Sequence, residues 1–419
     1  MENERVHATY LVETPYPLEK AAEVIAGEQS TGTFIAVPGE TDELKQKHGA
    51  VIEEIVPLAT TETPSLPGVR LPKGHDGKYR QGRITISFPL RNFGPSIPNL
   101  LATVAGNLYE LQELSGLRLM DLEFPESFTL RYPGPKFGIR GTRELTSVYD
   151  RPILGTIVKP SVGLSTEELS ALVDKLARAG MDFIKDDELN ANPPYAPFEK
   201  KVEAVMKGVH RAAEATGKKL MYAFNITGDY DELRRNYETV LRAGGNCVMV
   251  SVLSVGFAGL AYLNQFSEVP IHGHRNQWGM LTRSPLLGME FTAFQKLCRL
   301  AGADHLHVNG LNSKFYESND SVARSIQACR QPLLGGYEVM PVISSRQWAG
   351  TAPDTYQSVK TVDLIHLAGG GMLAHPGGPQ AGFESMKQGW EAAIQGITLE
   401  QYAESHPELK QAIAKYGRD

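Results

Sequence analysis

Near the middle of the chain a short apolar run, Phe183-Ile184, ends in Lys185-Asp186-Asp187-Glu188. In an extended strand alternate side chains share a face, so Lys185 and Asp187 point the same way, and Glu188 folds in from the following loop. Asp187 and Glu188 are the hard oxygen donors that Mg2+ takes, whereas a lysine ammonium has no lone pair to give. Lys185 becomes a ligand only once its charge is reversed: its free amine adds CO2, and the carbamate so formed is an anionic oxygen donor. The alternative is an ordinary lysine paired with solvated acids at a strand end.

Other residues of chemical character recur at comparable places. Lys159 closes the run Gly155-Thr156-Ile157-Val158, just before Pro160, where a lysine at a strand end is able to pass a proton to or from carbon. His272 and His274 share a strand face, as do His305 and His307; Arg275 beside the first pair offers a fixed fork of donors to phosphate or carboxylate. Gly369-Gly370-Gly371 leaves backbone N–H groups open to an anion. Lys314, in the polar stretch from Asn309 to Tyr316, reads as a cation carried on a lid. Each also has a plain structural reading, as a rim lysine, a packed histidine, a turn or an exposed loop.

The elements that must position these residues tip the balance. From about Leu154 a β-rich segment returns at roughly regular intervals, usually followed by a helical pattern, as in successive βα units. The segments are Gly155 to Lys159, Asp182 to Asp186, Leu220 to Thr227, Cys247 to Leu253, Val269 to Arg275, His305 to Asn309, Val339 to Ser344 and Asp363 to Ala368. Their number predicts an α/β architecture, a (β/α)8 TIM barrel over residues 136–419 with a short helical tail from Leu399. In such a barrel the interior is packed and chemistry sits at the carboxyl ends of the strands. Nearly every such end here is polar or glycine, so the metal reading of Lys185-Asp187-Glu188 outweighs the plain one. Residues 1–135 mix strands (His7 to Glu13, Thr33 to Val37, Val51 to Pro57, Ile84 to Pro89, Leu117 to Phe124) with helices (Pro17 to Ala26, Ile97 to Leu108), an N-terminal α+β domain of ferredoxin-like kind.

Composition excludes several classes. The chain has 419 residues, 42% hydrophobic and 21% charged, with a formal net charge of −6 and no long basic run, which argues against a nucleic-acid partner. No apolar run approaches the length of a membrane span, and Met1 to Arg5 lacks the apolar core of a signal peptide, so the expected location is cytoplasmic. Cys247, Cys298 and Cys329 show no CxxC spacing and read as reduced packing residues.

The quoted residues resemble the RuBisCO superfamily over nearly the whole chain. Gly155 to Pro160 with Gly163-Leu164-Ser165 is similar to the family's first-strand motif, and Phe183 to Glu188 to its carbamylated-lysine metal motif. Gly273-His274-Arg275, Asp304 to His307, and Gly369 to Gly371 with His375-Pro376 match as well. The resemblance implies Mg2+, CO2 held as a carbamate on Lys185 with Asp187 and Glu188 as co-ligands, and a phosphorylated sugar-like substrate handled as an enolate. It implies Lys159 as acid/base at carbon, His274 as a base or hydration residue, and Lys314 closing over the substrate. One anion region would be Arg275, His307 and Ser344; another would be Thr33, Gly369 and Gly370. Glu28, Thr33 and Asn107 resemble segments that reach the partner subunit's active site, which implies a homodimer with shared sites.

The departures narrow the function. Where carboxylating members keep a second lysine this chain has Ser161, and where they have a glycine pair it has Ser345-Arg346, placing Arg346 at an anion region. These differences point to a RuBisCO-like protein, not a true ribulose bisphosphate carboxylase. The expected activity is that of a Mg-dependent lyase or hydrolase that decarboxylates, or transcarboxylates and hydrolytically cleaves, a 3-oxo sugar acid phosphate such as 3-oxo-isoapionate 4-phosphate. The alternatives are an enolase or isomerase on a methylthioribulose-type phosphate and, from another class, a non-catalytic metal-binding stress-response protein.

Overall fold

A computed structural model describes residues 3–32 and 37–417. The expected strand from Thr33 to Val37, and with it Thr33 as an expected substrate-binding residue, lies outside the described residues except for Val37. The chain divides into two compact units, residues 1–133 with 277–300 and residues 134–276 with 301–419.

In the first unit, period-two alternation along Arg5–Thr14 buries Val6, Ala8, Tyr10 and Val12 on one sheet face. The helix Leu18–Glu28 buries Leu18, Ala21, Ala22 and Ile25, a single stripe at helical spacing, and packs on that sheet. Strand order across the sheet is Gly116–Glu123, Arg5–Thr14, Tyr79–Pro89, Val51–Thr61, the order of a ferredoxin-like βαββαβ unit. A fifth strand extends it. Leu287–Met289 pairs in parallel with Gly116–Glu123, so residues 277–300 join this unit although they fall between two barrel strands in sequence. A single boundary near residue 135 leaves that segment out.

The second unit is a closed barrel of eight parallel strands: Ile153–Ile157, Phe183–Lys185, Met221–Asn225, Cys247–Ser251, Ile271–His274, His305–His307, Met340–Ile343 and Ile365–Leu367. Each overlaps its expected segment. Ile153, Phe183, Met221, Met249, Val342 and Leu367 belong to one buried cluster inside it. Two of the crossover helices begin at capping boxes, Ser165 with Glu168 and Asp229 with Glu232, which fix where the loops before them end. The helix Phe198–Thr216 stops at Gly217, whose φ of 70° suits glycine. At the barrel's amino end, Asp304 accepts the Phe137, Gly138 and Ile271 N–H groups at 2.6, 3.0 and 2.8 Å. It ties the helix Gly138–Thr146 beneath the fifth and sixth strands, and burial pushes its carboxyl up to about 6.

Candidate active site at the carboxyl ends of the barrel strands

Lys185 ends the second strand with its side chain 1% exposed, Nζ 3.6 Å from Glu188 Oε2 and donating to the Asp186 carbonyl at 2.7 Å. Burial pushes its amine below the ordinary lysine value, against the pull of Glu188, Asp187 and Asp186. From the first strand's end, Lys159 donates to Asp187 Oδ2 at 2.6 Å and to Ser161 Oγ at 2.8 Å. Burial works to raise Asp187, but the Lys159 hydrogen bond and the Leu189 N–H outweigh it and hold that carboxyl below its ordinary value. Asn225 Nδ2 reaches the Asp187 and Glu188 carbonyls at 3.2 and 3.3 Å, and Thr227 Oγ1 donates to Asn225 Oδ1 at 2.7 Å, so the third strand braces the backbone of the acid pair.

Asp186 faces elsewhere. It is 1% exposed and accepts from Lys201 Nζ at 2.9 Å, Tyr222 Oη at 2.5 Å and the Asn225 N–H at 2.9 Å. Lys201 Nζ spends its other donors on the Asn190 and Ala191 carbonyls, at 2.9 and 2.7 Å. Alternation along the strand thus sorts the acids: Lys185 and Asp187 toward the mouth, Asp186 into a buried ion pair that anchors their loop. Lys201→Met strands a buried carboxylate and is expected to cost about 3–5 kcal/mol, read as a lower urea midpoint. Adding Asp186→Asn should recover part of that loss; a single variant as stable as wild type would remove the anchor from the account.

On the fifth strand, His274 Nδ1 accepts the Asn276 N–H at 3.2 Å, which leaves the proton of the neutral ring on Nε2, 3.6 Å from Glu188 Oε2. Burial brings this imidazole down to about 4, so it is uncharged at neutral pH. Arg275, 7% exposed, donates to Glu317 Oε2 at 2.7 Å, and Glu317 also holds Asn309 Nδ2 at 2.9 Å and Ser321 Oγ at 2.8 Å. His307 on the sixth strand packs against His274 with the rings tilted at 55°, centroids 4.3 Å apart, and lies 3.4 Å from Ser344 Oγ across to the seventh.

The loops around this cluster differ in how firmly they are held. Ser345 and Arg346 occupy left-handed backbone at φ 76° and 54°, a cost that glycine would avoid. Gln347 braces them, donating to the Ser345 and Leu311 carbonyls at 2.8 and 3.0 Å. Gly369 and Gly370 have open space where a Cβ would stand, whereas a Cβ on Gly371 would meet the Gln347 carbonyl at 2.2 Å. Lys314 is exposed, its Nζ over the Phe315 ring at 5.4 Å, on a segment whose base is fixed by Asn312 bonds to Asn319 and Asp354. The structure therefore brings Lys159, Lys185, Asp187, Glu188, His274, His307 and Ser344 into one connected set, while Lys314 is outside its hydrogen bonds. In the first unit Glu28 ends its helix and Asn107 opens a 3-10 turn packed on that helix, both exposed. Sequence reasoning missed Lys201, Tyr222, Glu317 and Gln347.

The donor set fits a divalent cation on one condition. Among the described residues no group of three or more His, Cys, Asp or Glu is disposed to hold a metal. Asp187 and Glu188 supply two anionic ligands, and the third group at the cluster is the buried Lys185 amine, which donates only after CO2 has made it an anion.

The ribulose bisphosphate carboxylase large-chain catalytic domain matches residues 138–416, and the N-terminal domain of the same chain matches residues 2–128. The chain belongs to the RuBisCO family, as a RuBisCO-like protein. A RuBisCO-like protein from Burkholderia fungorum has a solved structure 45% identical in sequence, with a TM-score of 0.92 over 99% of this chain and 100% of that one. The 3-oxo-isoapionate-4-phosphate transcarboxylase/hydrolase of Xanthobacter autotrophicus is 49% identical over 98% of this chain and 99% of its own. The 3-oxo-isoapionate-4-phosphate decarboxylase of Rhizobium etli is 43% identical over 98% of each. Within the RuBisCO-like protein no described helix is long and apolar enough to cross a membrane.

Proposed function

We propose that this RuBisCO-like protein is an enzyme acting on a phosphorylated 3-oxo sugar acid of the 3-oxo-isoapionate 4-phosphate type, removing or transferring its carboxylate. The observation that carries the reading is that two relatives, 49% and 43% identical over nearly the full chain, are named for reactions of that one compound. Lys185 as carbamate, Asp187 and Glu188 would hold Mg2+. When bound, that ion supplies positive charge beside the carbonyl oxygen on which negative charge develops.

The chain's own groups do the rest. In the decarboxylating form the bond to the carboxylate carbon breaks, its electron pair passes into the neighbouring ketone to leave an enolate, and CO2 departs. Lys159 then returns a proton to carbon. His274, with its proton on Nε2, serves as a hydrogen-bond donor to a developing oxyanion; the tautomer that the Asn276 N–H selects is the wrong one for a base at Nε2. Arg275 supplies charge for a carboxylate or phosphate in the region lined by His307, Ser344 and Arg346, and the open backbone of Gly369 and Gly370 takes a second anionic group. Lys314 closes over the bound substrate. The decisive experiment incubates the protein with 3-oxo-isoapionate 4-phosphate, Mg2+ and bicarbonate: consumption with release of CO2 or bicarbonate is expected. No consumption, with turnover of a methylthioribulose-type phosphate instead, would overturn the reading.

The enzyme works as a homodimer in which Glu28, Thr33 and Asn107 complete the partner's site. Glu28→Gln and Lys185→Ala are each expected to be inactive alone. Co-refolded in equal amounts they should recover about a quarter of the active sites, since half the dimers are mixed and each mixed dimer has one intact site. Activity that stays at the sum of the two variants would place Glu28 in its own subunit's site or in none.

A further inference from the structure

His272, His274, His305 and His307 all stand on the fifth and sixth barrel strands. The reaction proposed above uses only the outer two. His272 and His305 lie deeper, both fully buried and packed on Phe183, in a barrel whose other strands contribute Met, Val and Leu to the same interior. A buried imidazole needs partners for both ring nitrogens, and these rings find them in one another. From the amino end upward, Thr142 Oγ1 is 2.9 Å from His305 Nε2, and His305 Nδ1 is 3.3 Å from His272 Nδ1. His272 Nε2 is 2.8 Å from His307 Nε2, and His307 Nδ1 is 3.4 Å from Ser344 Oγ. The contacts make one file from the helix Gly138–Thr146 to the mouth of the barrel.

A neutral imidazole has one N–H and one lone pair, so the direction of one bond in such a file fixes every other. The fixed bond is the lowest. Thr142 Oγ1 carries a single hydrogen and gives it to the Gly138 carbonyl one turn back in its helix, so toward His305 it accepts. His305 therefore holds its proton on Nε2 and receives one at Nδ1 from His272. His272 Nε2 receives from His307 Nε2–H, and His307 Nδ1 receives the Ser344 hydroxyl. Burial keeps the rings uncharged, taking His305 down to about 3 and His272 and His307 well below the ordinary histidine value.

We propose that Thr142, acting through His305 and His272, is a positioning residue that sets the tautomer of His307 and the hydroxyl direction of Ser344. Ser344 then offers lone pairs, not a hydrogen, so beside the anionic group that Arg275 holds it faces a hydroxyl of the substrate and accepts from it. A helix at the opposite end of the barrel thereby decides which hydrogen-bonding groups the site accepts.

The first arm of the test uses no substrate, so its outcome is separate from that of the proposed reaction. In the full-length protein labelled with 13C,15N-histidine at neutral pH, two-bond proton–nitrogen correlations report each ring's tautomer, with peaks assigned by through-bond correlation to the backbone and checked by His305→Gln and His272→Gln. Wild type should show Nε2–H at His305 and His307 and Nδ1–H at His272; the opposite tautomer at any of the three overturns the proposal even if no variant folds. Thr142→Val should disturb all three rings together and Thr142→Ser should restore them, whereas a change confined to His305 overturns the relay. The second arm rests on the proposed reaction: Thr142→Val should raise KM about tenfold with kcat nearly unchanged, the size of one misdirected hydrogen bond, and an unchanged KM breaks the link to substrate binding.

Discussion

Lys185→Met is expected to lower kcat at least a thousandfold, while the urea midpoint stays near that of wild type. The thioether side chain fills nearly the space of the lysine stem in its buried slot, so packing is kept. Asp187 retains its 2.6 Å partner Lys159, and Glu188 is a third exposed, so neither acid is left stranded. Among the described residues, what disappears is the one group at the cluster able to become a third anionic ligand, since Asp186 is committed to Lys201 and Tyr222. Lewis-acid stabilisation of developing charge contributes several kcal/mol, and each 1.36 kcal/mol is about a factor of ten in rate, hence roughly a thousandfold or more. Calorimetric titration supplies an independent reading. Bicarbonate should tighten Mg2+ binding by wild type and have no effect on the variant. A variant that keeps activity within tenfold, or a bicarbonate dependence that survives the substitution, would remove the carbamate from the mechanism.

The barrel was legible because each strand is a short apolar run closed by a polar residue or glycine, and that same punctuation marked the mouth. Strand alternation grouped Lys185 with Asp187, and position at the strand ends added Glu188 and Lys159; the structure pairs Lys159 with Asp187 and Lys185 with Glu188. The orientation of His274 could not be read in this way. Whether its Nε2 gives or takes a proton depends on a backbone N–H at Asn276, and nothing in the residue type reports that bond. The anchor of Asp186 was hidden for a similar reason: Lys200 and Lys201 are adjacent, and only helix register puts Lys201, not Lys200, on the buried face. Residues 277–300 escaped because Leu287–Met289 is too short to display a period, and its partner strand lies far back in the chain. The turn at Ser345-Arg346 runs against residue preference outright, so the sequence alone gives no reason to expect left-handed backbone there.

Lys159→Met is expected to slow formation of the protonated product by about a hundredfold to ten-thousandfold, the usual worth of a positioned general acid. The lysine is held from two sides, by Asp187 Oδ2 and by Ser161 Oγ, and its side chain is 45% exposed, so its Nζ is accessible from the mouth. Cleavage of the C–C bond takes no proton from it; return of a proton to carbon does. With the lysine gone, the enolate must take its proton from water on either face. In D2O, wild type should place deuterium on one face of the carbon, and the variant on both. Lys159→Arg should not rescue, because a guanidinium does not give up its proton at working pH. Stereospecific deuteration by the methionine variant at a near-normal rate would assign the proton to another group, and Ser161, the hydroxyl that touches Lys159 here, would be the first to replace.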